Sequence, residues 1–125
     1  QIWEAAMYAS ANKIDNLITT IDLNGRQIDG DTEQVLSLGN LANKWQAFGW
    51  EVLEMDGHSI DKIKETLRKA ISMTGKGKPI VIIMKTEMGQ GVDYMMGSHK
   101  WHGVAPNAEQ LVLALNQLDE TFYFN

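Results

Sequence analysis

The spacing of apolar residues along the chain predicts three short β-strands. Residues 17–23 and 79–86 are apolar and rich in β-branched side chains, as buried strands are, and residues 50–55 alternate between apolar and polar positions. Glycine and other turn-forming residues follow each segment. We therefore expect three strands, of which the third is buried on both faces.

Four further segments show the spacing of helices. Residues 2–13 are alanine-rich, and their apolar positions surround the helix, so we expect neighbours to cover most of it. Ser59 is a predicted N-cap, and Asn107 with Gln110 resembles a capping box. The predicted inward-facing residues are Leu41, Trp45 and Phe48 in the second helix, Ile60, Ile63, Leu67, Ala70 and Ile71 in the third, and Leu111, Leu115 and Leu118 in the fourth. Strands that alternate with helices predict an α/β fold, a parallel sheet flanked by helices.

Charge and cysteine content narrow the classes of function. The chain has 11 Lys and Arg against 16 Asp and Glu, a formal net charge of −5, and a general nucleic-acid binder needs a basic face. It has no cysteine, which excludes disulfides and zinc–thiolate sites. The longest apolar run, residues 79–84, is too short to cross a bilayer. We therefore expect a cytoplasmic protein without a nucleic-acid or membrane partner.

The turn after the first strand has the composition of a metal–diphosphate site. Its polar residues and glycine are Asp22, Asn24, Gly25, Arg26 and Asp29. Open α/β sheets bind ligands where strands end, and Mg²⁺ accepts amide, main-chain carbonyl and phosphate oxygens. An ordinary polar connection explains the same residues. An EF-hand calcium loop does not, because Arg26 and Gln27 stand where an oxygen ligand and a glycine are required.

The loop after the third strand, residues 87–105, is the second candidate region. Met88 opens a Met-Gly-Gln-Gly segment, whose glycines permit close approach to a ligand or merely a sharp exit from the sheet. His99 and His102 lack the further ligands that zinc requires, but they could donate protons or contact phosphate. A structural role is the commoner one for a histidine. In a parallel sheet this loop and the Asn24 turn begin at the same edge.

Four blocks of the sequence together resemble the thiamine-diphosphate-binding half of transketolases. They are QIWEAAMYASANKIDNLITTIDLNGRQIDG, WEVLEMDGHSID, GKPIVIIMKTEMGQG and WHGVAPNAEQ. They cover nearly the whole chain, in the order found in the family. The resemblance to 1-deoxyxylulose-5-phosphate synthase and to dehydrogenase E1 subunits is more distant, because these lack the WHG block in this form.

The resemblance implies a thiamine-diphosphate-binding fold and roles for five residues. Asn24 corresponds to the family's metal-binding asparagine, which holds Mg²⁺ or Ca²⁺, and Arg26 to the position whose main-chain carbonyl is the next metal ligand. Ile28 and Met88 correspond to apolar residues that pack on the thiazolium region of the cofactor. His102 corresponds to the catalytic histidine that contacts the diphosphate near the reacting carbon.

The implied activity is that of a transketolase of pentose phosphate metabolism. Such an enzyme transfers a two-carbon ketol unit from a ketose phosphate to an aldose phosphate, with thiamine diphosphate and Mg²⁺ as cofactors. Two alternatives stay open. One is another thiamine-diphosphate enzyme, such as a 1-deoxyxylulose-5-phosphate synthase-like protein, and the other is a non-catalytic metal-binding or structural domain of the same fold.

The resemblance also implies that residues 1–125 are the second half of a cofactor-binding domain. In the family, an upstream Gly-Asp-Gly triplet supplies the anionic metal ligand, and these residues do not contain it. With a single side-chain oxygen ligand, the chain alone is expected to be inactive. The expected partners are sugar phosphates and the remaining transketolase segments or subunit, including the pyrimidine-binding domain, in a homodimer or heterotetramer.

Overall fold

The computed structural model describes residues 1–123 and has the predicted alternation of helices and strands. In chain order the elements are α1 (Ile2–Ala11), β1 (Ile18–Leu23), β2 (Arg26–Gln27), β3 (Gly30–Asp31), α2 (Thr32–Val35), α3 (Leu41–Ala47), β4 (Glu51–Asp56), α4 (Ile60–Met73), β5 (Ile80–Lys85), a 3₁₀ helix (His99–Trp101) and α5 (Ala108–Tyr123). They form two compact units, residues 1–23 with 38–86, and residues 24–37 with the chain from 87 onward. Of the helices described, none is both long and apolar enough to span a membrane.

The first unit is built on a parallel sheet of three strands in the order β1-β5-β4. The strands begin level with one another, at Ile18, Ile80 and Glu51. Residues 80–83 of the central strand β5 are buried, as predicted. Strand β1 is only partly buried, unlike the buried strand expected there, because β5 is its one neighbour in the described sheet.

Helices cover both faces of this sheet. Helices α1 and α3 pack on one face, and α4 packs on the other. The buried residues of the first layer are Ala6, Ala9, Leu41, Trp45, Trp50, Val81 and Ile83. Those of the second layer are Leu53, Met55, Ala70, Ile80 and Ile82. The predicted parallel sheet flanked by helices is therefore confirmed.

The buried helix faces differ in part from the predicted ones. In α4, Ala70 is fully buried, but Ile60 and Ile71 are exposed. In α5, Ala114 is buried, whereas Leu111 and Leu115 are about half exposed. Helical spacing identifies an apolar stripe without showing which part of it packs most closely. In both helices the closest approach occurs at a small alanine side chain.

Helix α1 is covered on one side only by the residues described. Ala6 and Ala9 are buried, while Ile2, Met7 and Tyr8 are exposed, in contrast to the expected cover on most sides. The helix ends at Ala11 rather than at residue 13. An apolar composition indicates that a helix can pack against neighbours on most sides, but it does not show which residues provide those neighbours.

The predicted helix N-caps are confirmed by their hydrogen bonds. The Ser59 hydroxyl accepts a hydrogen bond from the Lys62 amide at 3.4 Å. The Asn107 side chain accepts one from the Gln110 amide, and the Gln110 side chain accepts one from the Asn107 amide, both at 2.9 Å. This reciprocal pair satisfies two amides that would otherwise lack partners at the start of α5.

In the second unit, the long loop after β5 is held by specific hydrogen bonds. The Tyr94 hydroxyl donates to the Gln110 carbonyl at 2.7 Å, and Trp101 Nε1 donates to the Tyr94 carbonyl at 2.9 Å. The Asp93 amide donates to Gln117 Oε1, and Gln117 Nε2 donates to Asp93 Oδ1, both at 2.8 Å. The loop is thus fastened to α5 at two points.

Candidate metal and cofactor site

Both candidate regions begin at the same edge of the parallel sheet. β1 ends at Leu23 and β5 at Lys85, which are paired in register. At this edge the Thr86 hydroxyl donates a hydrogen bond to Asp22 Oδ1. The chain leaves the edge twice, into Asn24 and into the loop from residue 87 onward. The common starting edge predicted from the parallel topology is confirmed.

The Asn24 side chain organises the turn that follows β1. Its Oδ1 accepts a hydrogen bond from the Arg26 amide at 2.9 Å, which makes an Asx turn. Gly25 between them has φ +71°, a conformation in which glycine carries no steric penalty. An amide oxygen has two lone pairs, so an asparagine Oδ1 is able to accept a hydrogen bond and bind a cation at the same time.

The Arg26 side chain is held within its own hairpin. Its guanidinium forms an ion pair with Asp31, the residue opposite it in the β2–β3 pairing. Both side chains are partly exposed, so the pair contributes little to stability. The side chain therefore has a role inside the hairpin, and any contribution of Arg26 to a metal site comes from its main chain.

The amide and the carbonyl of Arg26 point to the side of the hairpin on which the Asn24 side-chain oxygen lies. The Thr32 amide donates to the Gly25 carbonyl at 3.0 Å, which makes Gly25 and Thr32 a hydrogen-bonded pair. Hydrogen-bonded and non-bonded pairs alternate in an antiparallel ladder, so Arg26 and Asp31 form a non-bonded pair. Their main-chain groups point away from each other. The Arg26 amide therefore reaches the Asn24 side chain, and the Arg26 carbonyl points away from Asp31, to the same side of β2.

These two oxygens fit a divalent cation as part of its ligand set. An amide oxygen and a main-chain carbonyl are hard, neutral ligands of the kind that Mg²⁺ and Ca²⁺ bind. Among the residues whose side chains the structure describes, no group of three or more His, Cys, Asp or Glu is placed to hold a metal ion. The two oxygens are only part of a ligand set, because Mg²⁺ and Ca²⁺ take six or more ligands.

Ile28 lies at the tip of the β2–β3 hairpin and is exposed. The hairpin pairs Gln27 with Gly30, which leaves Ile28 and Asp29 as the two turn residues. The Ile28 side chain is 69% exposed, and an apolar side chain at a turn tip has no packing role in its own hairpin. Its position is compatible with a contact to the cofactor.

Met88 lies half-buried in the loop after β5, next to a glycine with a structural role. Gly89 has φ +74°, and a Cβ atom there would collide with the Cβ and main chain of Met95. The close approach at Gly89 is therefore to the protein itself. Gly89 is therefore needed for the fold of the loop, and the approach of a ligand to this segment stays a prediction.

His102 directly follows the 3₁₀ helix, and its neighbour Trp101 anchors it. The His102 amide donates to the His99 carbonyl at 3.0 Å. Trp101 packs edge to face on Tyr94, with ring centroids 5.3 Å apart. The His102 side chain is exposed, and no hydrogen bond to it is found among the residues described. The backbone is thus fixed while the imidazole is accessible to a ligand.

The structure places the five predicted site residues on two segments of the chain. Asn24, Arg26 and Ile28 share the turn and hairpin after β1, and Met88 and His102 share the loop after β5. The sequence prediction missed the hairpin itself and the Asp31 partner of Arg26. Gly30, which directly follows the two turn residues, was the available signal, because glycine is favoured at the last position of a type I turn.

Comparisons with known proteins place this chain in a family. Residues 2–122 match the family described as transketolase, thiamine diphosphate binding domain. An apulose-4-phosphate transketolase subunit of Phocaeicola vulgatus is 46% identical over 119 residues, which is 95% of this chain and 42% of that protein. The 6-deoxy-6-sulfo-D-fructose transketolase subunit SqwG of a Clostridium species is 38% identical, with 96% and 43% covered.

The fold is similar to that of solved transketolases. The crystal structure of transketolase from Campylobacter jejuni matches with a TM-score of 0.84 and 33% identity, over 94% of this chain and 18% of that one. The chain spans less than half the length of the relatives it matches. The agreement of sequence and fold shows that the chain belongs to the family of the transketolase thiamine-diphosphate-binding domain.

Proposed function

We propose that this chain is part of a transketolase, which transfers a two-carbon ketol unit from a ketose phosphate to an aldose phosphate. The observation that carries the proposal is the Asn24 turn, found in a chain of the thiamine-diphosphate-binding family. Its hairpin holds the Asn24 side-chain oxygen and the Arg26 carbonyl on one side. Pre-positioned ligand oxygens reduce the entropic cost of binding the ion.

Each of the five residues has a defined task in this proposal. Asn24 Oδ1 and the Arg26 carbonyl bind Mg²⁺ or Ca²⁺, which neutralises the diphosphate. Ile28 and Met88 pack against the thiazolium region and exclude water from it. His102 contacts the diphosphate and moves protons near the reacting carbon. Thiamine diphosphate, when bound, supplies the chemistry of two-carbon transfer.

We further propose that residues 1–125 are the second half of the cofactor-binding domain. A Gly-Asp-Gly segment outside these residues would add the anionic metal ligand, and a pyrimidine-binding domain would complete the cofactor site. Two relatives are named as transketolase subunits, which supports a partner subunit or segment. The expected assembly is a homodimer or heterotetramer, and the chain alone is expected to be inactive.

The donor substrate is proposed to be a ketose with an anionic group, usually phosphate. One relative is named for apulose 4-phosphate and another for 6-deoxy-6-sulfo-D-fructose. These names share a sugar with a charged substituent and differ in the sugar itself. Pentose phosphates and a cytoplasmic location remain predictions from the family resemblance.

Replacing the metal-binding asparagine tests the proposal. In the complete enzyme, Asn24→Ala should weaken the binding of thiamine diphosphate with Mg²⁺ by roughly tenfold or more, because even indirect metal contacts contribute that much. Isothermal titration calorimetry with the cofactor at saturating Mg²⁺ measures the affinity.

Arg26→Ala is the matched control, two residues away in the same turn. It removes the ion pair with Asp31 but keeps the main-chain carbonyl, so the cofactor affinity should stay close to that of the unmodified enzyme. Unchanged affinity in Asn24→Ala would show that the turn does not hold the metal.

A further inference from the structure

Thr86 lies where the three strands of the parallel sheet end, one residue beyond β5. The last paired residues of the sheet are Leu23 of β1, Lys85 of β5 and Asp56 of β4. The Gly57 amide donates to the Lys85 carbonyl at 2.8 Å, which extends the pairing of β4 with β5 by one residue. Thr86 therefore follows the central strand at the level where both neighbouring strands end.

The Thr86 hydroxyl connects this position to β1. It donates a hydrogen bond to Asp22 Oδ1. Asp22 pairs with Met84 of β5, and alternate residues of a strand point to the same face, so Thr86 and Asp22 lie on one face of the sheet. Asp22 stands two residues before Asn24. The hydrogen bond thus holds the end of β1 directly before the candidate metal-binding turn.

The Thr86 methyl group contacts the chain after β4 at a glycine. A Cβ atom at Gly57 would overlap Thr86 Cγ2, and it would lie only 3.2 Å from the Lys85 carbonyl oxygen. Gly57 lies outside the left-handed region of φ, so its backbone conformation does not itself require glycine. The missing side chain of Gly57 instead provides the space that the Thr86 methyl group occupies.

Both branches of the Thr86 side chain are therefore engaged, and together they fix its conformation. The staggered χ1 rotamers of threonine exchange the positions of the hydroxyl, the methyl group and the hydrogen on Cβ. Only one of them directs the hydroxyl to Asp22 and the methyl group to Gly57. Serine lacks the methyl group and valine lacks the donor, so threonine is the residue that makes both contacts.

We propose that Thr86 is a positioning residue of the candidate cofactor site. It holds the ends of β1 and β4 against β5, and thereby fixes the main chain at which the Asn24 turn and the Met88 loop begin. Strand ends open more readily than strand centres, so a contact at the end of the sheet affects the segments that follow it. The inference rests on the proposed function, because it concerns the same metal and cofactor site.

Removing the Thr86 hydroxyl in the complete enzyme tests the proposal. Thr86→Val keeps the shape of the side chain but cannot donate to Asp22. We expect it to weaken the binding of thiamine diphosphate at subsaturating Mg²⁺ by about threefold to tenfold, the usual effect of one hydrogen bond, as measured by calorimetry. Thr86→Ser keeps the hydroxyl and should bind the cofactor more tightly than Thr86→Val. Unchanged affinity in Thr86→Val, or a serine variant that binds no better than the valine variant, would overturn the proposal.

Variants of Asp22 separate positioning from a direct effect of negative charge. Asp22→Asn removes the charge but keeps an oxygen that accepts a hydrogen bond from Thr86, so it should weaken cofactor binding less than Asp22→Ala. Asp22→Ala should have a smaller effect in the Thr86→Val enzyme than in the unmodified one, because the hydrogen bond is already lost there. Additive losses, or equal losses in Asp22→Asn and Asp22→Ala, would contradict the positioning role.

Hydrogen exchange tests the structural step without the cofactor. The Arg26 amide, which donates to Asn24 Oδ1, reports on the order of the turn. In the complete, cofactor-free protein, Thr86→Val should speed exchange of this amide by about threefold to tenfold. The Ile82 amide, in the middle of β5, is the control and should keep its rate, which shows that the sheet remains folded. Equal exchange of the Arg26 amide in both proteins would overturn the proposal.

The two sets of variants distinguish this inference from the proposed function. If Asn24→Ala weakens cofactor binding while Thr86→Val changes neither the affinity nor the exchange of the Arg26 amide, the metal site stands and the positioning role is wrong. If Thr86→Val speeds that exchange while Asn24→Ala leaves the affinity unchanged, Thr86 orders a turn that does not hold the metal, and the proposed function is wrong.

Discussion

At the scale of single residues, one hydrogen bond connects the two candidate metal ligands. The Asn24 side-chain oxygen, which is the first, accepts a hydrogen bond from the amide of Arg26, and the carbonyl of Arg26 is the second. The hydrogen bond restricts the Asn24 rotamer before any ion arrives. Because one residue orients the other, a change that displaces the side chain also displaces the carbonyl.

His102 is the residue whose replacement should affect turnover most directly. Its side chain is exposed on a backbone fixed by Trp101, as a proton-transferring group requires. In the complete enzyme, His102→Ala should lower the kcat for a ketose donor by about 10²- to 10⁴-fold, the usual contribution of general acid–base catalysis. Steady-state kinetics with saturating cofactor measures it.

Lys100→Ala provides the comparison, since Lys100 is exposed in the 3₁₀ helix that precedes His102 and has no proposed role. Its turnover should match that of the unmodified enzyme. If His102→Ala is as active as Lys100→Ala, His102 does not belong to the catalytic site.

At the scale of elements, Gly89 determines the path of the loop after β5. A methyl group at Gly89 meets Met95, and the residue has a left-handed φ of +74°. Gly89→Ala should therefore lower the free energy of unfolding by about 2–4 kcal/mol, the sum of left-handed strain and overpacking. Urea denaturation of the complete protein measures the change.

Gly97 in the same loop is the control. It has φ +70° but open space around its Cβ position. Gly97→Ala should cost only the left-handed strain, about 1–2 kcal/mol. Equal losses in both variants would mean that the contact with Met95 contributes nothing.

The elements that could be predicted from sequence are those with a strong local signal. The apolar run of β5 and the reciprocal cap of Asn107 and Gln110 are local features, and both are confirmed. The β2–β3 hairpin was missed because two-residue strands are too short to show a period. The edge position of β1 was missed because strand order depends on contacts distant in sequence.

The candidate site was predictable to a similar extent. Asn24 could be identified because a polar side chain with a following glycine stands directly after a strand. The candidate role of Arg26 came only from the family resemblance, because a carbonyl ligand places no demand on the side chain. The anchoring of Trp101 by Tyr94 could not be read from sequence, since it depends on the folded loop.

At the scale of the whole molecule, the few ligands in the chain predict strongly coupled binding of metal and cofactor. The Asn24 turn offers two neutral oxygens, and tight binding of a divalent ion needs more ligands and negative charge. In the complete enzyme, thiamine diphosphate should tighten the binding of Mg²⁺ by about 10- to 100-fold, and Mg²⁺ should tighten the binding of the cofactor equally.

Calorimetry of protein freed of metal with EDTA measures both halves of this coupling. Mg²⁺ or Ca²⁺ should restore cofactor binding and turnover to the chelated enzyme. Cofactor affinity that is the same with and without a divalent ion would contradict the coupling, and with it the role of the Asn24 turn.

The order of strands in the sheet has a consequence for synthesis of the protein. β5 lies between β1 and β4 in the sheet, yet it is the last of the three to leave the ribosome. Until β5 emerges, β1 and β4 lack the strand that joins them in the described sheet. A nascent chain that ends before Ile80 therefore leaves the β5-facing edges of both strands unpaired, a form prone to aggregation and suited to binding by chaperones.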